Sequence, residues 1–263
     1  MNALYRKYRQ RSVFRKEDIL RDFPQLSADA INKKIEDAKR KSRVIKSVGG
    51  RRGIYYVVEP GESYVAAHPD PLLLATNLAN GAIICYASAL MLLGKSHSSL
   101  NIMYISSSSR FRDLTCQGMK YHYVVLPERE IGLETFSHRG TPLIVTTLER
   151  TLIDCLGNLK YAGGFEQFYR SYEGVSYINW RTLEQYLKVF SSPLLNARVG
   201  LFVELQRERW NIPEVFFARL RRNLPKYPDY FLGRKEKAGK LNANWNLIVA
   251  EEVMHIGGRR AKD

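Results

Sequence analysis

The chain has 263 residues, 45% of them hydrophobic and 25% charged, with a formal net charge of +15. That hydrophobic share excludes general disorder, and the length allows one large domain or two ordinary ones. The charge is uneven: residues 1–60 hold 16 Lys/Arg against 7 Asp/Glu, residues 61–263 hold 25 against 19, which points to a polyanionic partner, most simply nucleic acid, rather than to a merely soluble basic protein.

The segment "LYRKYRQRS" reads as either a first helix or a basic arm. After it, Phe14, Ile19, Leu20 and Phe23 give one apolar face to a short helix that Pro24 stops. Ser27 is a good N-cap for a second helix, on which Ile31, Ile35 and Ala38 recur at i, i+4, i+7 and face a core. The opposite face carries Asp29, Lys33, Glu36 and Arg40, with Asn32 and Lys39 on the flank. A strand from Arg43 to Val48, a Gly49-Gly50-Arg51-Arg52 turn and a return strand from Ile54 to Val58 follow.

Helix, turn, helix, hairpin is the order of a winged helix-turn-helix. The second helix would lie in the major groove of duplex DNA, and the hairpin would be the wing. Asn32 suits adenine, and Lys33 or Arg40 suits guanine or phosphate. Arg51 and Arg52 at the hairpin tip suit the backbone or minor groove. The candidate DNA contacts are therefore Ser27, Asn32, Lys33, Lys39, Arg40, Lys46, Arg51 and Arg52. The plainer alternative is a solvated charged helix beside an ordinary hairpin.

"EPGESYVAAHPDP" (59–71) has three prolines and a glycine and reads as a linker. The expected organisation is a DNA-binding domain over 1–60, a linker over 61–70 and a larger domain over 71–263. In the latter, "LLLATNLA" and "YASALMLLG" read as helices, and the run Ala82 to Leu93 as one buried helix too short to span a bilayer. Strands are expected over 100–106, 114–127 and 141–147. Thr146 and Glu149 have the spacing of a capping box launching "LERTLIDCLG". Helices over 164–172, 181–190, 194–210 and 213–224 follow, then strands near 229–232 and 244–249 that close the sheet, and a disordered tail from His255. The fold class is α+β, a winged helix-turn-helix plus a larger domain with a modest sheet and several helices.

No catalytic constellation stands out. "LLGKS" lacks the glycine of a phosphate-binding loop, since position 89 is Ala89. The histidines His68, His97, His122, His138 and His255 form no HxxxH or HExxH helix. Arg150 and Asp154, at i, i+4, read as a salt bridge, and "SSSSR" (106–110) as a flexible loop. No catalytic residue, metal or cofactor is called for. Cys85, Cys116 and Cys155, odd in number and widely spaced, argue against a disulfide framework. With an N-terminus that lacks an apolar signal-peptide core, they fit a cytoplasmic setting without a membrane.

Four stretches carry a resemblance: "FRKEDILRDFPQLSADAINKKIEDAKRKSRVIKSVGGRRGIYYVVEPGE", "YASALMLLG", "YISSSSRFRDLTCQGMKYHYVVLP", and "VTTLERTLIDCL" with "YAGGFEQFYRSYE". Together they resemble the AbiEi family of abortive-infection antitoxins over roughly residues 14–174. The resemblance implies an autorepressor and antitoxin of a type IV toxin–antitoxin system, encoded beside a nucleotidyltransferase-like toxin. It implies repression through the N-terminal domain on inverted repeats in double-stranded DNA, and neutralisation through the C-terminal domain, without need of a tight toxin complex. Two other readings stand beside it: a ligand-responsive winged-helix regulator, and a DNA-targeted enzyme subunit.

Overall fold

The computed structural model describes residues 2–233, 239–251 and 253, and the fold is mixed α+β. It packs as two units. The first comprises Met1–Ile84, Leu100–Val125 and Glu134–Val145; the second comprises Cys85–Ser99, Leu126–Leu133 and Thr146–Asp263.

The first unit opens with α1 (Ala3–Tyr8), β1 (Val13–Arg15), α2 (Lys16–Asp22), α3 (Ala28–Arg40), β2 (Ile45–Ser47) and β3 (Ile54–Val57). The strands form an antiparallel sheet in the order β1-β3-β2. The first segment is a helix rather than an arm: Asn2 Oδ1 accepts the N–H groups of Leu4 and Tyr5 and launches α1, which buries Leu4 and Tyr8. Phe14, expected on a helix, lies in β1 and stacks on Tyr8 with ring centroids 4.0 Å apart. The Asp18 carboxylate accepts the Arg15 N–H at 2.9 Å and fixes the start of α2 after that strand. The helix phase shifts accordingly, leaving Leu20 42% exposed. On α3 the expected apolar stripe holds: Ile31, Ile35 and Ala38 pack with Leu4, Tyr8, Phe14, Ile19, Ile45 and Val57. β2 begins at Ile45 rather than Arg43, because Arg43 takes a left-handed φ of 51° and Ile45 rather than Val44 becomes the buried residue. In the hairpin turn Gly50 has φ 74°, and a Cβ there would meet Leu114 Cδ1 at 3.1 Å, so glycine is required twice over.

The chain continues through α4 (Pro71–Asn77), β4 (Ile83–Ile84), α5 (Ala87–Leu92), β5 (Ile102–Ser106), β6 (Leu114–Cys116), β7 (Met119–Tyr123), β8 (Leu133–His138) and β9 (Thr141–Thr146). The six strands form one sheet in the order β6-β7-β5-β4-β9-β8. The run 82–93 is thus a strand and a helix, divided at Tyr86, whose φ is 53°. The strand expected over 114–127 is a hairpin turning at Gln117 and Gly118, both with positive φ. The expected 61–70 linker does not separate units; it lies inside the first one. The Lys46 ammonium donates to the Val65 and Ala67 carbonyls at 3.1 and 2.9 Å, and the Tyr56 hydroxyl donates to Ala67 at 2.8 Å. Proline and glycine mark an irregular backbone there, but those hydrogen bonds fasten it to the hairpin.

In the second unit α5 is joined by α6 (Leu148–Gly157), α7 (Phe165–Glu173), α8 (Trp180–Phe190), α9 (Pro193–Leu205), α10 (Arg207–Trp210) and α11 (Glu214–Leu220). The helix expected over 194–210 is two, interrupted at Gln206. β10 (Asp229–Tyr230), β11 (Gly239–Asn242) and β12 (Leu247–Ala250) form a separate sheet in the order β10-β12-β11, so the last strands do not close the larger sheet. The tail expected from His255 lies outside the described residues. α6 is not launched by the expected capping box. Thr147 is the N-cap, Thr146 Oγ1 meets Thr151 Oγ1 at 2.7 Å, and the Glu149 carboxylate accepts the Asn179 N–H at 2.9 Å.

The Arg150–Asp154 pair is present and fully buried, with Nε 2.9 Å from the carboxylate. Other guanidinium N–H groups donate to the carbonyls of Pro127, Glu128 and Ile131. A Cβ at Gly132 would lie 2.6 Å from Arg150 Cβ. The "ERTLID" segment is therefore a buried clamp on residues 127–132. Burial pushes the Asp154 carboxyl up to about 7, with Arg150 pulling in the opposite direction.

Candidate nucleic-acid interface

The face of α3 opposite its core stripe presents Asp29, Asn32, Lys33, Glu36 and Arg40, all exposed. Ser27 is exposed too, but its hydroxyl accepts the Ala30 N–H at 3.2 Å and serves as the helix cap. Charge is distributed unequally along the helix. Lys39 and Arg40 both pair with Glu36, at 3.0 and 3.1 Å, and Lys41 pairs with Asp37 at 2.9 Å. The hydrogen bond from Lys39 holds the Glu36 carboxyl below the usual range. The last turns are thus partly neutralised, whereas Asn32 and Lys33, in the N-terminal half, hold no hydrogen bond or ion pair to any described residue. That half is the one a groove-reading helix points at base edges.

The hairpin tip is divided. Arg51 is half-buried: its guanidinium donates to the Arg112 carbonyl and sits 5.5 Å from the Phe111 ring centroid. Arg52 is exposed. Lys46, besides its two carbonyl bonds, lies over the rings of Tyr56 and Tyr64 at 5.8 and 5.5 Å. Of the eight sequence candidates, then, Asn32, Lys33, Arg40 and Arg52 reach outward, Lys39 is half-shielded beside Glu36, and Ser27, Lys46 and Arg51 are engaged within the unit.

A second cationic feature of this unit escapes sequence reading. Lys7, Arg11, Arg15, Arg21 and Arg139 line a cavity of about 930 Å³, in which Asp18 is the carboxylate. Arg15 is fixed by neutral acceptors, the carbonyls of Asn77 at 2.7 Å and Thr76 at 3.2 Å and the Asn80 side-chain oxygen. Among the described residues no carboxylate is in hydrogen-bond contact with its guanidinium. Asp18 takes Arg21 at 2.7 Å and Arg11 at 3.2 Å. Burial opposes its ionisation, but the Arg15 N–H and the two guanidiniums outweigh it and hold the carboxyl below its ordinary range. The signal for Lys7 and Arg11 was the basic "LYRKYRQRS"; Arg139 is over a hundred residues away and only the fold brings it there. In "SSSSR" Ser106 ends β5, and two side chains are tied down: Ser107 Oγ donates to the Ser109 carbonyl and Ser108 Oγ to the Asn80 carbonyl.

Comparisons with known proteins add the fold alone. No family model matches the chain, and no curated protein does. The structure is similar to the crystal structure of the RV2827C protein from Mycobacterium tuberculosis. The TM-score is 0.60 at 16% identity, over 90% of this chain and 86% of that one.

Among the described residues no group of three or more His, Cys, Asp or Glu side chains is placed to hold a metal ion. Cys85, Cys116 and Cys155 are free thiols. No described helix is long and apolar enough to cross a membrane.

Proposed function

We propose that the chain is a DNA-binding autorepressor and antitoxin of the kind its resemblance to AbiEi proteins implies, countering a nucleotidyltransferase-like toxin. The observation that carries the DNA-binding half is the free N-terminal half of α3. A polar and a cationic side chain, Asn32 and Lys33, stand side by side on an exposed helical surface whose C-terminal cations Lys39, Arg40 and Lys41 are paired with Glu36 and Asp37. The preceding helices and the β2–β3 hairpin have the element order of a winged helix-turn-helix, with α3 as the reading helix. The cation-lined cavity adds a phosphate-attracting surface to the same unit. The antitoxin half rests on the four sequence stretches.

The test uses the full chain. Fluorescence anisotropy with duplexes from the region upstream of its own reading frame should give tighter binding than random duplex, and Asn32→Ala with Lys33→Ala should erase much of that ratio. Each lost bidentate base contact is worth about 1–3 kcal/mol. Co-expression with the neighbouring toxin-like reading frame should restore growth. Equal affinity for all duplexes would remove the operator-reading role, and absence of rescue would remove the antitoxin role.

A further inference from the structure

The second unit contains a buried cation that, among the described residues, no carboxylate reaches at hydrogen-bond distance. Arg198, on α9, is 7% exposed and lines a cavity of about 740 Å³. Its guanidinium donates to the Tyr230 carbonyl at 2.9 Å and, at 3.4 Å, to the Leu156 carbonyl. Both acceptors are neutral. The nearest carboxylate oxygen given by the structure is Asp229 Oδ1, 4.0 Å away, on a side chain that is 47% exposed and already accepts the Tyr230 N–H at 2.6 Å. Arg198 Nε is buried and has no partner among the described residues. A guanidinium offers five N–H donors, and a buried charge left unpaired is costly enough that proteins rarely keep one.

The rest of the cavity is chemically consistent with an anion. Gly163 and Gly164 have φ of 79° and 89°, and Gly164 is the N-cap of the nine-residue α7. Glycine supplies no side-chain cap, so the first N–H groups of α7 are left for another acceptor. A Cβ at Gly163 would collide with Gln167 at 2.5 Å, and Gln167 Nε2 is itself buried without a partner among the described residues. Lys160, exposed, lines the cavity as well. Glu166 is the acid among the lining residues, and its carboxylate is turned onto Arg170, at 3.0 Å. Leu156, Leu159, Phe165 and Leu232 form the apolar part of the wall. The volume falls in the range of small-molecule sites, which combine apolar walls with a few converging polar groups.

We infer that this cavity is a ligand site that takes the phosphate group of a small organic phosphate, held by Arg198, Lys160 and the N-terminus of α7, with its organic part against Phe165 and the leucines. The site lies in the second unit and is independent of the DNA-binding reading. The ligand supplies a close countercharge in place of the long contact to the half-exposed Asp229.

The experiment is isothermal titration of the full chain with inorganic phosphate, phenyl phosphate and acetate, at about 0.15 M salt to screen exposed cations. Thermal unfolding is followed alongside. Saturable one-to-one phosphate binding is expected at or below about 1 mM. Phenyl phosphate should bind several-fold more tightly, acetate much more weakly, and bound phosphate should raise Tm. Arg198→Met should abolish binding while leaving Tm equal or higher, since an apolar side chain of similar length relieves the buried charge. Lys160→Ala, at an exposed position that keeps the fold, should weaken binding several-fold; it decides alone should Arg198→Met not fold. Absence of saturable phosphate binding, or binding unchanged in these variants, overturns the inference. Phenyl phosphate binding no better than inorganic phosphate overturns the organic-phosphate assignment.

Discussion

Replacing Arg150 by alanine should be among the most damaging single changes in the second unit, although the residue touches no proposed ligand. Its side chain is fully buried, pairs with Asp154 at 2.9 Å, donates to the carbonyls of Pro127, Glu128 and Ile131, and lies 4.7 Å from the Phe190 ring centroid. Alanine removes the cation, leaving a buried carboxylate and carbonyls without their donor. Breaking a buried pair from one side costs about 3–5 kcal/mol, a large fraction of the roughly 5–15 kcal/mol that separates folded from unfolded domains. Equilibrium urea unfolding of the full chain at pH 8 measures it. The sign of the pH dependence follows from Asp154. Burial already pushes its carboxyl up to about 7 with Arg150 in place, and losing the guanidinium removes the pull in the other direction. The unfolded state is common to both proteins, so the comparison turns on the folded carboxyls: well below about 7 both are protonated, above it wild type ionises more readily, and the loss through Asp154 grows as pH rises through about 7. Arg150→Ala should therefore lose less stability, relative to wild type, at pH 5 than at pH 8. In Arg150→Ala/Asp154→Ala the combined loss should fall short of the sum, because the orphaned charge is gone. A loss below about 1 kcal/mol, or one independent of pH, would refute the view of this pair as a structural clamp.

Four further outcomes follow from the geometry. Arg52→Ala should flatten the log–log salt dependence of duplex binding by about one unit. Arg51→Ala should instead leave the slope unchanged and lower Tm, since Arg51 holds the Arg112 carbonyl and Phe111. In the second unit, Gly200→Ala would place a Cβ 2.1 Å from Trp245 Cζ3, inside a fully buried indole whose Nε1 donates to Glu204 at 2.6 Å. Urea unfolding should register a loss of about 1–3 kcal/mol or more from overpacking. Asp18 has a carboxyl held below its ordinary range, so its contribution is present above an unfolded pKa of about 3.9 and lost as pH falls through the lower folded value. Asp18→Asn should thus shallow the acid limb of a Tm-against-pH profile, and an unchanged limb would remove Asp18 from that role.

Local signals in this chain were legible where one element answers to one pattern. The stripe Ile31, Ile35, Ala38 and the cap at Ser27 predict α3, because side chains three and four apart share a helical face whatever surrounds them. The glycines of the β2–β3 turn are legible for a similar reason, since positive φ is a local demand. Errors arise where tertiary pairing overrides the pattern. Ala82 to Leu93 is apolar apart from Ser88, which cannot separate a buried strand from a buried helix, and pairing of Ile83 and Ile84 with both β5 and β9 decides for a strand. Thr146 has the spacing of a cap, yet it is the last residue of β9, and Thr147 takes the role.

Which cations are free is a different kind of question, and composition cannot answer it. Lys46 and Arg51 look like Lys33 and Arg52 in the sequence, with the same charge and similar neighbours. The first two are fastened by carbonyls and rings contributed from 18 to 61 residues away, by Tyr64 and Ala67 for Lys46 and by Arg112 for Arg51. The converse holds at the cavity lined by Arg15. There Arg139 and Lys7 converge from opposite ends of the first unit's sequence, and the acceptors around the Arg15 guanidinium are carbonyls and an amide rather than carboxylates. A charge held by neutral groups keeps its field, and a charge held by a carboxylate largely loses it. The net charge of residues 1–60 therefore marks the more basic part of the chain, while the long-range acceptors determine where in that unit positive charge stays exposed.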